Sequence, residues 1–92
     1  MALVFEWDDK KAKSNLIKHK ISFEEASTAF GDDLSITIED PLHSQNKNRL
    51  ILIGKSINHK TLVVVHIEQT DLIRIISARK ATKKEQKFYE ES

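Results

Sequence analysis

The chain has 92 residues, 39% hydrophobic and 32% charged, with one proline, two glycines, no cysteine and a net charge of +1. This length fits one small domain over residues 1–92, and the periodic apolar runs at near-zero net charge exclude a disordered chain. The missing thiol excludes a disulfide framework, a cysteine nucleophile and cysteine-based zinc or iron–sulfur sites.

The opening "MALVFEWDDKK" places acids where a signal peptide needs an unbroken apolar core. No run approaches the ~20 apolar residues of a membrane span, so the expectation is a soluble cytoplasmic protein. The small net charge hides an asymmetry. Residues 1–46 hold nine Asp/Glu against five Lys, whereas residues 47–92 hold ten Lys/Arg against five Asp/Glu. A basic second half suggests an anionic partner such as nucleic acid; a solvated basic helix is the alternative.

In chain order, "LVFEW" (3–7) alternates as a short strand, with Val4 and Glu6 on one face. "DDKKAKSNLIKHK" then runs from acids to bases, the order a helix macrodipole favours, with Ala12, Leu16 and His19 at helical spacing. "SFEEASTAF" starts a second helix with a capping box, Ser22 to Glu25, and an apolar stripe of Phe23, Ala26 and Phe30; "GDD" ends it. The period then changes. "LSITIED" alternates, "PLHSQNKN" is a polar connection, and "RLILIGKS", "TLVVVHIE" and "LIRIISAR" are strands joined by short turns. "TKKEQKFYEES" closes the chain as a helix with its own capping box, Thr82 to Glu85. The predicted order is β-α-α-β-β-β-β-α, an α+β domain in which an antiparallel meander packs against helices on one face.

The last hairpin carries the candidate chemistry. Leu62, Val64, His66 and Glu68 share one strand face. A loop of Gln69, Thr70 and Asp71 would pair Glu68 with Leu72 and set His66 opposite Arg74, roughly 5 Å apart at Cβ. A two-residue loop would shift the pairing by one and separate them. Arg79 has the opposite parity to Arg74 along an ideal strand, but a bulge near the strand's end can re-aim it. Guanidinium groups match phosphate oxygens, imidazole moves protons near neutral pH, and a carboxylate accepts or orients a proton. Such a set suits RNA cleavage without a metal, in which a base takes the 2′-hydroxyl proton and arginines stabilise the added charge. His66 as an ordinary hydrogen-bonded strand residue, and the arginines as surface ion pairs, are the plainer readings.

The four histidines (His19, His43, His59 and His66) lack paired-ligand spacing for a metal, and there is no glycine-rich phosphate loop. "NLIKHK" (15–20) could bring Lys18 and His19 to a ligand, or simply end a helix. "HSQNKNR" (43–49) reads as a polar turn in which Arg49 could touch an RNA backbone.

"FEWDDKKAKSNLIKHKISFEEASTAFGDD", "HSQNKNRLILIGKS" and "RIISARKATKKEQKFYEE" together resemble the BrnT family of type II toxins over nearly the whole chain. The resemblance implies a RelE-like α+β fold and a ribonuclease that degrades RNA and halts growth; with the residues read above, the expectation is an endoribonuclease that needs no cofactor. The resemblance also implies a BrnA-like antitoxin with a ribbon-helix-helix domain, and a toxin–antitoxin complex that represses its own operon. Matched by position, the family's functional region falls on Glu68, Arg74 and Arg79, with His66 beside them. The combined expectation is His66, Glu68, Arg74 and Arg79 as catalytic residues, with Lys80, Lys83, Lys84 and Arg49 contacting RNA. This chain departs from the family pattern at Lys20 and His59, where glycine is usual, at Lys47, which replaces an acid, and at Gln69, a position often basic. A non-catalytic module that binds the antitoxin and tunes repression is the rival reading. A direct DNA binder has only the lysines of the last helix in its favour.

Overall fold

The computed structural model describes residues 3–43 and 48–92; the middle of the expected polar connection, 44–47 with Lys47, lies outside the described residues. Helix α1 (Asp9–His19) begins where Asp8 accepts hydrogen bonds from the backbone N–H groups of Lys10 (2.8 Å) and Lys11 (3.1 Å). These are donors that a helix N-terminus otherwise leaves open. It ends at Lys20, whose φ of 62° is left-handed. Helix α2 (Phe23–Thr28) is capped by Ser22 Oγ, which accepts from the Glu25 N–H at 3.0 Å. The first box is only half formed, because the Glu25 carboxylate instead accepts from Ser56 Oγ at 2.7 Å. The second is complete at helix α3 (Lys83–Glu90): Glu85 N–H donates to Thr82 Oγ1 and Thr82 N–H donates to the Glu85 carboxylate.

The strands are β1 (Val4–Glu6), β2 (Ile36–Glu39), β3 (Arg49–Lys55), β4 (Thr61–Gln69) and β5 (Leu72–Lys80), in a five-stranded sheet of order β1-β5-β4-β3-β2. Strands β2 to β5 form the expected antiparallel meander. β1 adds to β5 in parallel, so the sheet is mixed. Three alternating residues carry no information about partner or direction, which is why the sequence left β1 unplaced.

Helices α1 and α2 lie on one face of the sheet. There Ile21, Phe23 and Ala26 pack on Leu62, Val64, Ile73, Ile75 and Ala78, with Phe5, Trp7 and Phe30 at the margin. The expectation that helices cover a single face is overturned by α3. Its Tyr89 packs with Ile53 and Val63 on the other side, beside Ile36, Ile51 and Ala81. Alternation explains this: Ile53 and Val63 have opposite parity to Leu62 and Val64, and their apolar side chains need a cover. The Tyr89 hydroxyl donates to Asp32 at 2.5 Å, and Asp32 also accepts the N–H groups of Lys55 (2.8 Å) and Leu34 (3.0 Å). Burial alone would raise the Asp32 pKa, but these bonds outweigh it and hold it below the ordinary value, while Tyr89 is pushed up to about 12, chiefly by the Asp32 bond.

Asn15 ties α1 to the sheet. Its Nδ2 donates to the carbonyls of Ile21 (2.9 Å) and Ala78 (2.8 Å), and its Oδ1 accepts from Ala78 N–H at 3.1 Å. β1 pairs only with residues 72–74 of β5, so the buried Asn15 amide stands in for the strand that would otherwise satisfy Ala78.

Candidate active site

The β4–β5 hairpin turns on Thr70 and Asp71, with Gln69 paired to Leu72. His66 therefore lies opposite Ile75, and Arg74 lies opposite Ile67. The three-residue loop and the His66–Arg74 pairing are both overturned. One residue of register puts the imidazole and the guanidinium on opposite faces. His66 is fully buried among the residues beneath α2. Its Nδ1 lies 3.2 Å from the Val64 carbonyl, its Nε2 lies 3.2 Å from the Glu68 carboxylate, and Phe30 meets the ring edge-on at 4.8 Å. Glu68, with 46% of its side chain exposed, is the only one of the two open to solvent.

The arginines behave differently. Val65 pairs with Ser77 but His66 pairs with Ile75, so Ile76 is an extra residue, a bulge in β5. The insertion reverses the parity of everything after it. Arg79 opposes Val63 and Arg74 opposes Ile67, and both now lie on the face away from α1 and α2. Arg49 on β3 opposes Ile67 from the other side. All three arginines of the chain thus share one face, and Arg49, Ile67, Arg74 and Glu6 form a row across four strands. Strand spacing sets Arg49 and Arg74 about 10 Å apart at the backbone, and four residues of rise set Arg79 about 13 Å further along.

Each guanidinium has a carboxylate partner. Arg49 Nε donates to Asp40 at 3.0 Å, Arg74 to Glu6 at 2.7 Å, and Arg79 makes a two-bond fork to Glu85 at 2.7 and 2.8 Å. The fork is the strongest geometry. The Arg79 bond is the main cause that lowers the Glu85 carboxyl to about 2, against partial burial, while the same bond raises Arg79. Glu85 thereby serves twice, as the α3 cap and as the Arg79 clamp. Its place in the capping box was legible; its hold on Arg79 was not. The partner roles of Asp40 and Glu6 had no local sequence signal either, since both depend on cross-strand register.

Beside Arg79 a groove opens, floored by Ile38, Ile51, Ile53 and Val63, walled by Phe88, and rimmed by Arg79, Lys84 and Glu85. Ile38 and Phe88 are both exposed there. Lys80 is exposed at the end of β5, and Lys83 and Lys84 are exposed on the first turn of α3. The expected residues therefore divide. Arg49, Arg74, Arg79 and Lys84 belong to the face carrying the groove, whereas His66 and Glu68 take the parity of the helix-covered face. Such a surface can grip and polarise phosphate oxygens through planar forks. Among the described residues no group of three or more His, Asp or Glu is arranged to hold a metal ion, and no helix is long and apolar enough to cross a membrane.

The fold and the sequence have recognisable relatives. The crystal structure of the Brucella abortus ribonuclease toxin BrnT matches with a TM-score of 0.66 at 20% identity, covering 90% of this chain and 99% of that one. No curated protein matches. The family model for the ribonuclease toxin BrnT of type II toxin–antitoxin systems matches residues 7–85. With most of its length matched in sequence and its sheet and helices matched in space, this chain belongs to the BrnT family of ribonuclease toxins.

Proposed function

We propose that this chain is an endoribonuclease toxin that cleaves RNA without a metal ion, on the sheet face that carries Arg49, Arg74 and Arg79. The observation that carries the reading is the bulge at Ile76, which returns Arg79 to the face of Arg74. In the reaction a 2′-hydroxyl loses its proton, its oxygen bonds to the adjacent phosphorus, and the P–O5′ bond breaks as the leaving oxygen gains a proton. Arg79, at the groove, stabilises the charge that gathers on the phosphoryl oxygens. Arg74 and Arg49, spaced along the face, hold flanking phosphates together with Lys80, Lys83 and Lys84. Fixed guanidinium charge here does the work that a metal ion does elsewhere. His66 and Glu68, expected as the acid and base, lie on the opposite face, and Glu68 is about 16 Å along β4 from Val63, the residue beside Arg79. The protons at this phosphate are therefore exchanged with solvent or with a group on the arginine face.

We group the fold with RelE-like toxins and place its action in the cytoplasm. The partner is a BrnA-like ribbon-helix-helix antitoxin that neutralises the toxin in a hetero-oligomer. The complex represses its own operon, and operator DNA is reached only through the antitoxin. The apolar groove beside Arg79 supports such a partner, since exposed Ile38 and Phe88 gain from being covered. One observation favours the rival, a non-catalytic antitoxin-binding module: all three arginines already hold carboxylates. Incubating purified chain with RNA in excess chelator separates the two. Fragments support the nuclease; intact RNA with the partner still bound supports the module.

A further inference from the structure

A second basic feature lies outside the arginine face. Where the β3–β4 turn meets the end of β5 and α3, a cleft is lined by Lys55, His59, Lys60, Thr61, Lys80 and Gln86, with no acid among its lining residues. Lys60 has a carboxylate neighbour only at the limit of contact, with Glu25 4.0 Å away. Among the described residues His59 is one of two non-glycine residues with positive φ, at 64°, and its side chain is exposed on this cleft. A residue with a Cβ in the left-handed region is strained, so the turn tolerates strain while presenting an imidazole beside three ammonium groups.

The placement relative to Arg79 gives the cleft a ligand. Arg79 and Lys80 diverge from neighbouring positions of β5, one to the groove and the other to the cleft. Helix α3 divides likewise, turning Lys84 and Phe88 toward the groove and Gln86 toward the cleft. A polyanion crossing the first turn of α3 meets Arg79 on one side and the lysine cluster on the other. Ammonium groups, which carry donors and no acceptors, suit phosphate oxygens, although Lys55 also feels the nearby Asp32 carboxylate; Gln86 adds an uncharged amide donor.

We propose that this cleft is a second phosphate site, which holds a backbone phosphate of the RNA strand flanking the linkage at Arg79. The inference rests on RNA being the substrate. His59 and Lys55 supply contacts that neither the arginine face nor α3 can reach, and the flanking strand is thereby directed across the start of α3.

The test measures binding of a non-cleavable 2′-O-methyl RNA to the full chain across a salt series. Wild type is compared with Lys55→Gln, with His59→Gly, and with Lys18→Gln, an equal loss of charge on α1. A single-strand phosphate contact contributes about 0.7 to the slope of log affinity against log salt. Lys55→Gln is expected to weaken binding and lower the slope by about that amount, while Lys18→Gln leaves both unchanged. His59→Gly gives opposite signs in two readouts: a higher unfolding midpoint, because the strain is relieved, and weaker RNA binding. Wild-type binding with a salt slope that Lys55→Gln and His59→Gly leave intact would overturn the cleft and spare the arginine face. Equal effects from Lys18→Gln would reduce it to general charge. No salt-dependent binding by the wild type would overturn both this site and the nuclease reading.

Discussion

The two faces of the sheet use the same strands for opposite purposes. Beneath α1 and α2 the polar groups are sealed and fully engaged: Asn15 makes three bonds, and His66 has a partner for each ring nitrogen. On the other face each arginine is held by a carboxylate; the Arg74–Glu6 and Arg79–Glu85 pairs are partly exposed, with Arg74 and Glu6 at 41% and 44%, while Arg49 rests on the buried Asp40. A buried polar group is costly to disturb because its partner loses a bond that water cannot replace. An exposed ion pair contributes little to stability, so its members are free to exchange partners with a ligand. One face is therefore suited to hold the fold and the other to meet a phosphate.

Variants that hit one face without the other test this contrast. The largest effect is expected for Arg79→Ala, which should lower RNA cleavage by roughly 10²–10³ while leaving the circular dichroism spectrum and gel-filtration profile native. Unchanged turnover would remove Arg79 from the reaction. On the opposite face, Asn15→Ala should reduce stability by about 2–3 kcal/mol in urea unfolding, because the Ala78 amide and carbonyl lose their partner. A loss near zero would mean that water enters and satisfies them.

His66→Gln sharpens the comparison. It should lower the unfolding midpoint and reduce cleavage far less than Arg79→Ala, since the ring is buried on the face away from the arginines. A rate loss as large as that of Arg79→Ala would return the imidazole to the reacting centre. Acid provides a milder test. The Glu85 carboxyl is held at about 2 against an ordinary 4.5, so its folded-state value is depressed. Its stabilising contribution is then full above about 4.5 and disappears as the pH falls toward about 2. Glu85→Gln should flatten the stability–pH curve within that window; an unaltered acid limb would show that the Arg79 clamp adds nothing in solution. The smallest effect concerns Lys20 at φ 62°. Lys20→Gly should raise stability by roughly 1 kcal/mol, the strain of a left-handed lysine less glycine's greater chain entropy, with no change in RNA cleavage.

Much of this division was legible in the sequence, because it depends on local rules. Period-2 and period-3.6 patterns located the elements, and Thr82 with Glu85 marked the start of α3. Lys20 and His59, where the resemblance leads one to expect glycine, are the two left-handed non-glycine residues of the described chain. The site was legible only in part. A three-residue loop places His66 on the arginine surface; the observed two-residue turn shifts the pairing by one, which reverses every side chain. The bulge at Ile76 has no signature in "RIISAR", although a bulge near the end of β5 is what re-aims Arg79. The docking of α3 on the far face is a tertiary outcome that no window of sequence contains, and the pairing of Arg79 with Glu85, though only six residues apart, follows from how α3 leaves β5.

The most direct measurement of which face meets the substrate is an NMR titration of labelled protein with non-cleavable RNA, following guanidinium and methyl signals. The account predicts shifts at the Nε–H groups of Arg49, Arg74 and Arg79 and at the methyls of Val65 and Ile67, while Leu62, Val64 and Ile75 stay still. Perturbations centred on the α1–α2 side, with the guanidinium signals unmoved, would contradict it.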